Sequence, residues 1–409
     1  MNILLVIITS LLVDTVSTEA YLQGQYGQST MPVAGVQDGG FSVNAYSVYD
    51  INAVSRVFGE ASYSWNQTKG NQWVENADYE LLYPYLTCDT IGGGMRSERY
   101  WFRGGYRMAK NHIIWHLALQ YRALQSYRSI DPRPKNKVAD LSVEGSVGYV
   151  DNSYAYSFMA QVGRYKQNND IAFYSELGNA MVYHLIGLDR DYTRFAGDFL
   201  SSYYHGMNAG ATLMLQPRSQ GWLAAMGYRY SFITKELKSS TSTPVARLHT
   251  HTASALIGYA GACWRAFLQA DYMLRLGTQY VYGDVTGNYY HLLLTVANYH
   301  EQQLRLKAQG NYRLSLPVGY MNFVADLGCF CKMPQLAKSE ETTRFSLLAS
   351  FLSASQLQAG LEVRYAFPLR GRYAWFFAPV ASYTHFLSDS LSASSVFCWQ
   401  FSFKTGVLF

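Results

Sequence analysis

Phe397-Cys398-Trp399-Gln400-Phe401-Ser402-Phe403-Lys404-Thr405-Gly406-Val407-Leu408-Phe409 decides how the rest of the chain is read. Phe397, Trp399, Phe401, Phe403, Val407 and Phe409 share one face; Gln400, Ser402, Lys404 and Gly406 share the other. Side chains alternate between the two faces of a strand, whereas a helix would scatter these aromatics around its axis. A segment of this length, apolar on one side and polar on the other, is what a strand needs to cross a bilayer as part of a closed barrel.

The same alternation recurs upstream. Tyr100, Phe102 and Tyr106 oppose Arg99, Arg103 and Arg107, and Trp115, Leu117, Leu119 and Tyr121 oppose His116, Gln120 and Arg122. Met226, Tyr228 and Tyr230 oppose Arg229, while Leu268, Tyr272 and Leu274 oppose Arg265, Gln269, Asp271 and Arg275. Leu304, Leu306 and Tyr312 oppose Arg305, Lys307 and Arg313, and Leu361 and Val363 oppose Glu362 and Arg364. A soluble sandwich would place Val, Ile and Leu on its inner face and use shorter strands. Here Tyr, Trp and Phe often stand near segment ends, the placement of aromatic girdles at the two lipid interfaces.

Composition agrees. Aromatics make up 16% of 409 residues, and charged residues only 15%, against about 25% in soluble domains. Mean hydropathy is −0.09, so apolar and polar residues are finely mixed. After the first 13 positions no run of about 20 apolar residues suggests a membrane helix. These features predict an all-β, transmembrane antiparallel up-and-down barrel.

Fifteen segments fit the pattern: 57–66, 98–108, 112–124, 138–150, 153–165, 203–215, 221–233, 247–260, 262–276, 300–314, 318–331, 342–353, 356–367, 373–386 and 395–408. Single-chain bacterial barrels take even numbers, so 14 strands are expected, with 16 the alternative. Long connections at 67–97, 125–137, 167–202, 234–246 and 277–299 alternate with short ones, an order that fails after 314. The error therefore lies in the last third or at the first strand. Phe41 to Tyr49 alternates weakly and reads either as a missed strand or as a lumen plug.

Residues 1–20 read as an export signal, with an apolar core from Ile3 to Val13 and small residues at Thr18 and Ala20. Residues 21–56 follow as a possible plug or first strand, and 57–409 as the barrel. Val407 and Phe409 resemble the terminal signal read by the barrel-assembly machinery, although Lys404 stands where Gly is usual. The expected setting is the bacterial outer membrane, with its lipid as a partner.

Arg99, Arg103, Arg107, Arg122, Arg229, Arg265, Arg275, Arg305, Lys307, Arg313 and Arg364 are expected to face the lumen, with Glu60, Glu144, Asp271, Asp326 and Glu362 as acidic counterparts. In an open pore this excess would draw anions; alternatively the groups pair with each other or with a plug. The net charge of +5, with no basic run, gives no reason to expect nucleic acid. His249 and His251 share a face but lack a third ligand nearby, and Asp189 and Asp191 match no calcium loop, so no metal is expected. The five cysteines give no disulfide framework. Gly-Xaa-Ser-Xaa-Gly, His-Glu-Xaa-Xaa-His and a phosphate-binding glycine loop are absent, so no catalytic residue, enzyme activity or cofactor is expected.

Several stretches resemble an outer-membrane β-barrel family of Bacteroidetes. They are Asp78-Tyr79-Glu80-Leu81-Leu82-Tyr83-Pro84-Tyr85, Tyr121-Arg122-Ala123-Leu124, Asp131-Pro132-Arg133-Pro134-Lys135-Asn136 and Tyr165-Lys166-Gln167-Asn168-Asn169-Asp170, followed by Phe173-Tyr174-Ser175-Glu176-Leu177-Gly178, Tyr183-His184-Leu185 and Arg194-Phe195-Ala196-Gly197. The resemblance covers about residues 40–290, implies an outer-membrane barrel, and brings no catalytic residues. Two functional expectations follow. One is a passive or partner-assisted transport barrel, favouring anions, with 167–202 folded inward as a constriction. The other is a non-conducting barrel that docks a TonB-dependent receptor or surface lipoprotein through Phe173, Tyr174, Glu176, Tyr183, Tyr192 and Phe195, since exposed aromatics often mark binding surfaces.

Overall fold

The computed structural model describes residues 18–175, 181–187, 190–191, 201–238, 242–286, 289–334, 345–369, 373–387 and 396–409. In chain order its elements are β1 (Glu19–Ser29), β2 (Gln37–Asn52), β3 (Ser55–Asn71), α1 (Tyr79–Leu82), β4 (Thr87–Cys88), β5 (Gly93–Lys110) and β6 (Ile113–Tyr127). There follow β7 (Arg133–Val150), β8 (Tyr154–Ala172), β9 (Tyr183–Gly187), β10 (Arg190–Asp191), β11 (Ser201–Pro217), β12 (Gly221–Lys238) and β13 (Ser242–Ala260). The last are β14 (Trp264–Thr286), β15 (Tyr289–Ser315), β16 (Tyr320–Pro334), α2 (Ser346–Ser353), β17 (Ser355–Pro368), β18 (Ala374–Leu387) and β19 (Val396–Leu408).

All strands but β4, β9 and β10 pair with their neighbours in sequence, and β1 pairs antiparallel with β19 from Glu19↔Leu408 to Ser29↔Cys398. That last pairing closes a barrel of 16 strands with no free edge. Closure satisfies every ladder hydrogen bond within the wall, which a bilayer's hydrocarbon demands of a spanning sheet.

The strand count corrects the preferred value of 14 to 16. The segment 21–56, expected as a possible plug or first strand, holds two strands, most of β1 and all of β2, with the connection 30–36 between them. One of the fifteen predicted strands, 342–353, is a helix where it is described, α2 over Ser346–Ser353, while 342–344 lie outside the described residues. Phe345, Leu348, Ala349, Phe351 and Leu352 are buried there, a spacing of three and four that suits one helix face. The expected export signal falls mostly at 1–17, outside the described residues, while Glu19 and Ala20 already belong to β1.

Outward-facing positions are apolar and exposed, among them Leu117 at 59%, Leu327 at 65% and Phe401 at 60%. Inward-facing neighbours such as Arg103, His116 and Gln269 are buried. Among the described residues no helix is long and apolar enough to cross a membrane; the crossing elements are strands.

Short turns join the strands at one end of the barrel, where Glu19 and Leu408 also meet. The opposite end carries the longer connections. Strand pairing there outlasts the predicted segments: β6 and β7 pair as far as Tyr127↔Lys135, and β14 and β15 span 23 and 27 residues. A tilted strand needs only about 9–11 residues to cross. Beyond the bilayer lipid no longer dictates which face is apolar, so the alternation fades before the pairing does.

Candidate functional site: a plug in the barrel mouth

At the loop end several of the described connecting segments fold inward. Met31 and Val33 of 30–36, the segment 72–92 with α1 and β4, Tyr183 and Leu185 of β9, and α2 share one apolar cluster with wall residues Val138, Tyr165, Tyr204, Ile233, Leu248 and Tyr299. Leu82, Leu86, Cys88 and Leu185 are at most 1% exposed, so this is a packed core inside the cylinder. Trp73 faces Phe351 with ring centroids 6.2 Å apart, and Tyr183 meets Phe345 edge-on at 5.3 Å. Within the plug β4 pairs with β9 through Thr87↔His184 and Cys88↔Tyr183.

Polar contacts tie the segment 72–92 to wall strands on many sides. Arg122 of β6 donates to both carboxylate oxygens of Asp78, at 3.0 and 2.7 Å, and the Tyr165 hydroxyl of β8 donates to Asp78 Oδ2 at 2.9 Å. Asn136 Nδ2 of β7 donates to the Glu75 carbonyl at 2.7 Å and is itself held by Gln167. The Tyr204 hydroxyl of β11 donates to the Tyr85 carbonyl at 2.9 Å, and the Thr87 and Ser202 hydroxyls lie 2.9 Å apart. Lys235 of β12 caps the Leu86 carbonyl at 2.7 Å. Arg275 of β14 donates to the carbonyls of Leu81 and Tyr83, with Glu301 behind it at 3.4 Å. Such contacts satisfy carbonyls of irregular backbone that the barrel interior would otherwise strand.

One buried cluster stands apart. Arg128 reaches Asp89 and, at 3.8 Å, Glu75, so two carboxyl groups face one guanidinium. Asp89 also accepts the amides of Ile91 and Gly92 at 2.6 Å each. Burial, reinforced by the neighbouring Asp89, lifts the Glu75 carboxyl well above the usual range, against the pull of Arg128 and Lys235. Burial and Lys235 push the His184 imidazole well below its ordinary value.

The eleven predicted lumen cations divide by partner. Arg122 and Arg275 anchor the plug. Arg103 sits between Glu60 and Glu144, Lys307 meets Asp326 at 3.5 Å, and Arg364 meets Glu19 at 2.8 Å. Arg305 lies over the Phe330 ring and Arg313 over Tyr320. Arg229 contacts Gln161 at 3.5 Å. Arg99 and Arg107 share the inward face of β5 with Arg103, and Arg265 is exposed near the turn end of β14.

The residues offered for docking fare differently. Tyr174 is 70% exposed, with the Arg133 guanidinium 4.4 Å from its ring centre. Asp131 accepts the amides of Tyr174 and Ser175, and those bonds, the Tyr174 amide first, hold its carboxyl below the usual range. Phe173 is half-buried beside Tyr174. Tyr183 is buried in the plug and so presents no outer surface. Glu176, Tyr192 and Phe195 lie outside the described residues, as do Asp189 and the side chain of Asp191. His249 and His251 face outward, each 2.7 Å from a tyrosine hydroxyl, those of Tyr230 and Tyr228. Among the described residues no group of His, Cys, Asp and Glu is arranged to hold a metal.

Sequence reasoning expected any inward-folded constriction from 167–202. Part of that stretch, 181–187, does enter the plug, but among the described residues the segment 72–92 contributes the greater part. Nothing local in Asp78-Tyr79-Glu80 announces a partner 44 residues away. The stretches that carry the family resemblance do meet here: Asp78, Arg122, Tyr165, Gln167 and His184 all belong to the plug or its anchors.

The fold has many distant counterparts among solved structures. The ferric preacinetobactin receptor BauA of Acinetobacter baumannii aligns at 8% identity and a TM-score of 0.42, over 95% of this chain and 80% of that one. A Pseudomonas aeruginosa FadL homologue aligns at 10% and 0.41, over 96% and 90%. The Ralstonia pickettii toluene transporter TbuX aligns at 9% and 0.37, over 96% and 89%. The barrel here rests on its own strand pairing and takes nothing further from these likenesses. None of the curated proteins matches the chain. The chain belongs to DUF6850, a family of unknown function whose model matches residues 10–403.

Proposed function

We propose that this is an outer-membrane transport barrel that rests closed, with the segment 72–92 as its gate. The observation that carries the reading is the nature of the stopper. The mouth is filled by a docked length of chain held through noncovalent contacts, apolar ones to wall residues such as Ile233 and Leu248 and polar ones to Arg122, Lys235 and Arg275. A barrel serving only as a scaffold could fill its bore with wall side chains. Pairing of Arg103, Lys307 and Arg364 with carboxylates removes much of the positive excess, so a general anion preference loses its main support.

The test locks the gate. Thr87→Cys with Ser202→Cys, in a Cys88→Ala background, places two thiols where the hydroxyls stand 2.9 Å apart. Purified barrel in liposomes should admit small solutes above the rate of empty vesicles. Oxidation of the double variant should stop entry, and reduction should restore it. Entry no faster than through empty vesicles, before and after reduction, overturns the proposal.

A second reading, docking of a TonB-dependent receptor or surface lipoprotein, is favoured by the exposed Tyr174 ring, braced by Arg133 and Asp131 at the loop end. Tyr174→Ala should then abolish co-purification of that partner from native membranes.

A further inference from the structure

Midway down the barrel the wall recedes. Gly210, Thr212, Gly227, Thr252 and Ser254, on β11, β12 and β13, put small side chains where other strands carry long polar ones, and they line a cavity of about 170 Å³. The volume is close to that of an engineered cavity of about 150 Å³ that takes up benzene. A molecule of six to eight heavy atoms therefore fits.

The cavity's remaining walls are chemically specific. Arg229 and Arg305 both line it, and neither makes an ion pair among the described residues. Arg305 stands directly across the ladder from Asp271, yet its guanidinium lies over Phe330, 4.6 Å from the ring centre. Asp271 instead receives Gln269 Nε2 at 2.9 Å on each oxygen. That leaves Gln269 Oε1, on a side chain only 2% exposed, with no donor. A buried acceptor without a donor is unfavourable unless something fills the need. The lining thus offers a guanidinium on each side for a carboxylate, and between them an amide oxygen and a carboxylate for a hydroxyl or ammonium.

We infer that this cavity is a binding subsite for a small carboxylate bearing a hydrogen-bond donor, of the hydroxy-acid or amino-acid class. The inference deepens the transport reading by naming a substrate class, and rests on it for its physiological meaning. The solute's carboxylate meets the Arg229 guanidinium in charge-assisted hydrogen bonds, and its hydroxyl or amino group donates to Gln269 Oε1 and Asp271. Asp271 also disfavours a compact dianion such as phosphate.

The test uses the folded, detergent-solubilised chain and D-glycerate as probe, with glycerol and inorganic phosphate for comparison, in saturation-transfer NMR and calorimetric titration. Glycerate should bind and glycerol should not. Arg229→Gln with Arg305→Gln should weaken glycerate at least tenfold, whereas Arg313→Gln, near the turn end, should change it less than twofold. Heat-shifted mobility in gels checks that each variant is folded. The inference is overturned if glycerate does not bind, if glycerol matches it, if phosphate displaces it at lower concentration, or if the folded double variant binds as the parent does. Solute flux through the reduced Thr87→Cys/Ser202→Cys barrel, read beside the titration, separates the two proposals. Glycerate binding with no flux above empty vesicles in the reduced form sinks the transport reading and leaves the subsite; flux that oxidation stops, with glycerate binding unchanged by Arg229→Gln/Arg305→Gln, does the reverse.

Discussion

Asp78 of the inward-folded segment takes both terminal nitrogens of Arg122 on β6, at 3.0 and 2.7 Å, with the two side chains 16% and 20% exposed. This pair fastens the stopper to the wall. Its neighbours are the Tyr165 hydroxyl on the same carboxylate and Asp140 at 3.6 Å from Arg122.

Asp78→Ala removes the acceptor and leaves Arg122 beside Asp140 alone. Breaking a fully buried pair costs about 3–5 kcal/mol, and the partial exposure here lowers the expectation to about 2–4 kcal/mol. The loss should fall on the plug, not on the barrel. Hydrogen exchange of amides 79–88 should accelerate by tenfold or more, while those of β17 and β18 stay protected. Equal acceleration in both places would mean that plug and wall unfold as one unit.

Leu86→Ala tests the apolar half of the plug. Leu86 is fully buried, and such truncations cost about 2–5 kcal/mol. Leu117, 59% exposed on the outer face, faces lipid instead, and Leu117→Ala should leave the same plug amides within twofold of the parent.

The plug should respond to pH in two ways. The Glu75 carboxyl is raised in the folded plug, so the plug is favoured while Glu75 is protonated and loses stability as pH climbs from the ordinary carboxyl range toward the raised value. The His184 imidazole is lowered, so its contribution is present above the ordinary histidine range and is lost as pH falls through it toward the lowered value. Glu75→Gln should flatten the alkaline loss and His184→Gln the acidic loss, each read from exchange of the plug amides across pH. Unchanged slopes in either variant would remove that group from the account.

Leu119 and Gln120 are neighbours on β6 that point opposite ways, Leu119 outward with 50% exposure. Leu119→Arg should cost about 2–4 kcal/mol in bilayer folding titrations if it lies near the midplane, because charge there meets hydrocarbon. Gln120→Arg, turned to the lumen, should cost markedly less. Equal costs would contradict the facing of the strand.

These two residues also show what the sequence makes visible. Strands such as β6 and β19 declare themselves because lipid imposes apolar side chains at every second position. β1 hid because its outward row, Ala20, Leu22, Gly24, Tyr26 and Gln28, is only partly apolar and begins where an export signal is expected to end. The stretch 342–353 misled because a short apolar run fits a strand or a buried helix equally until its neighbours are known. The lumen-facing arginines were legible from the same alternation. Their partners were not, since Arg122 to Asp78 and Arg275 to Leu81 and Tyr83 are contacts between segments 44 to 194 residues apart that only barrel closure brings together. Tyr183 reads as a loop aromatic free to meet a partner; burial against Phe345 is a tertiary fact.

The claim on which most depends is that the segment 72–92 stops the bore of a 16-stranded barrel. Single-channel recording in planar bilayers tests it most directly, comparing the parent chain with one whose residues 74–90 are replaced by a short glycine-serine linker. The account predicts a parent that is closed for most of the record and a shortened form that gives a steady, large conductance step. A parent that conducts continuously at the level of the shortened form would contradict it.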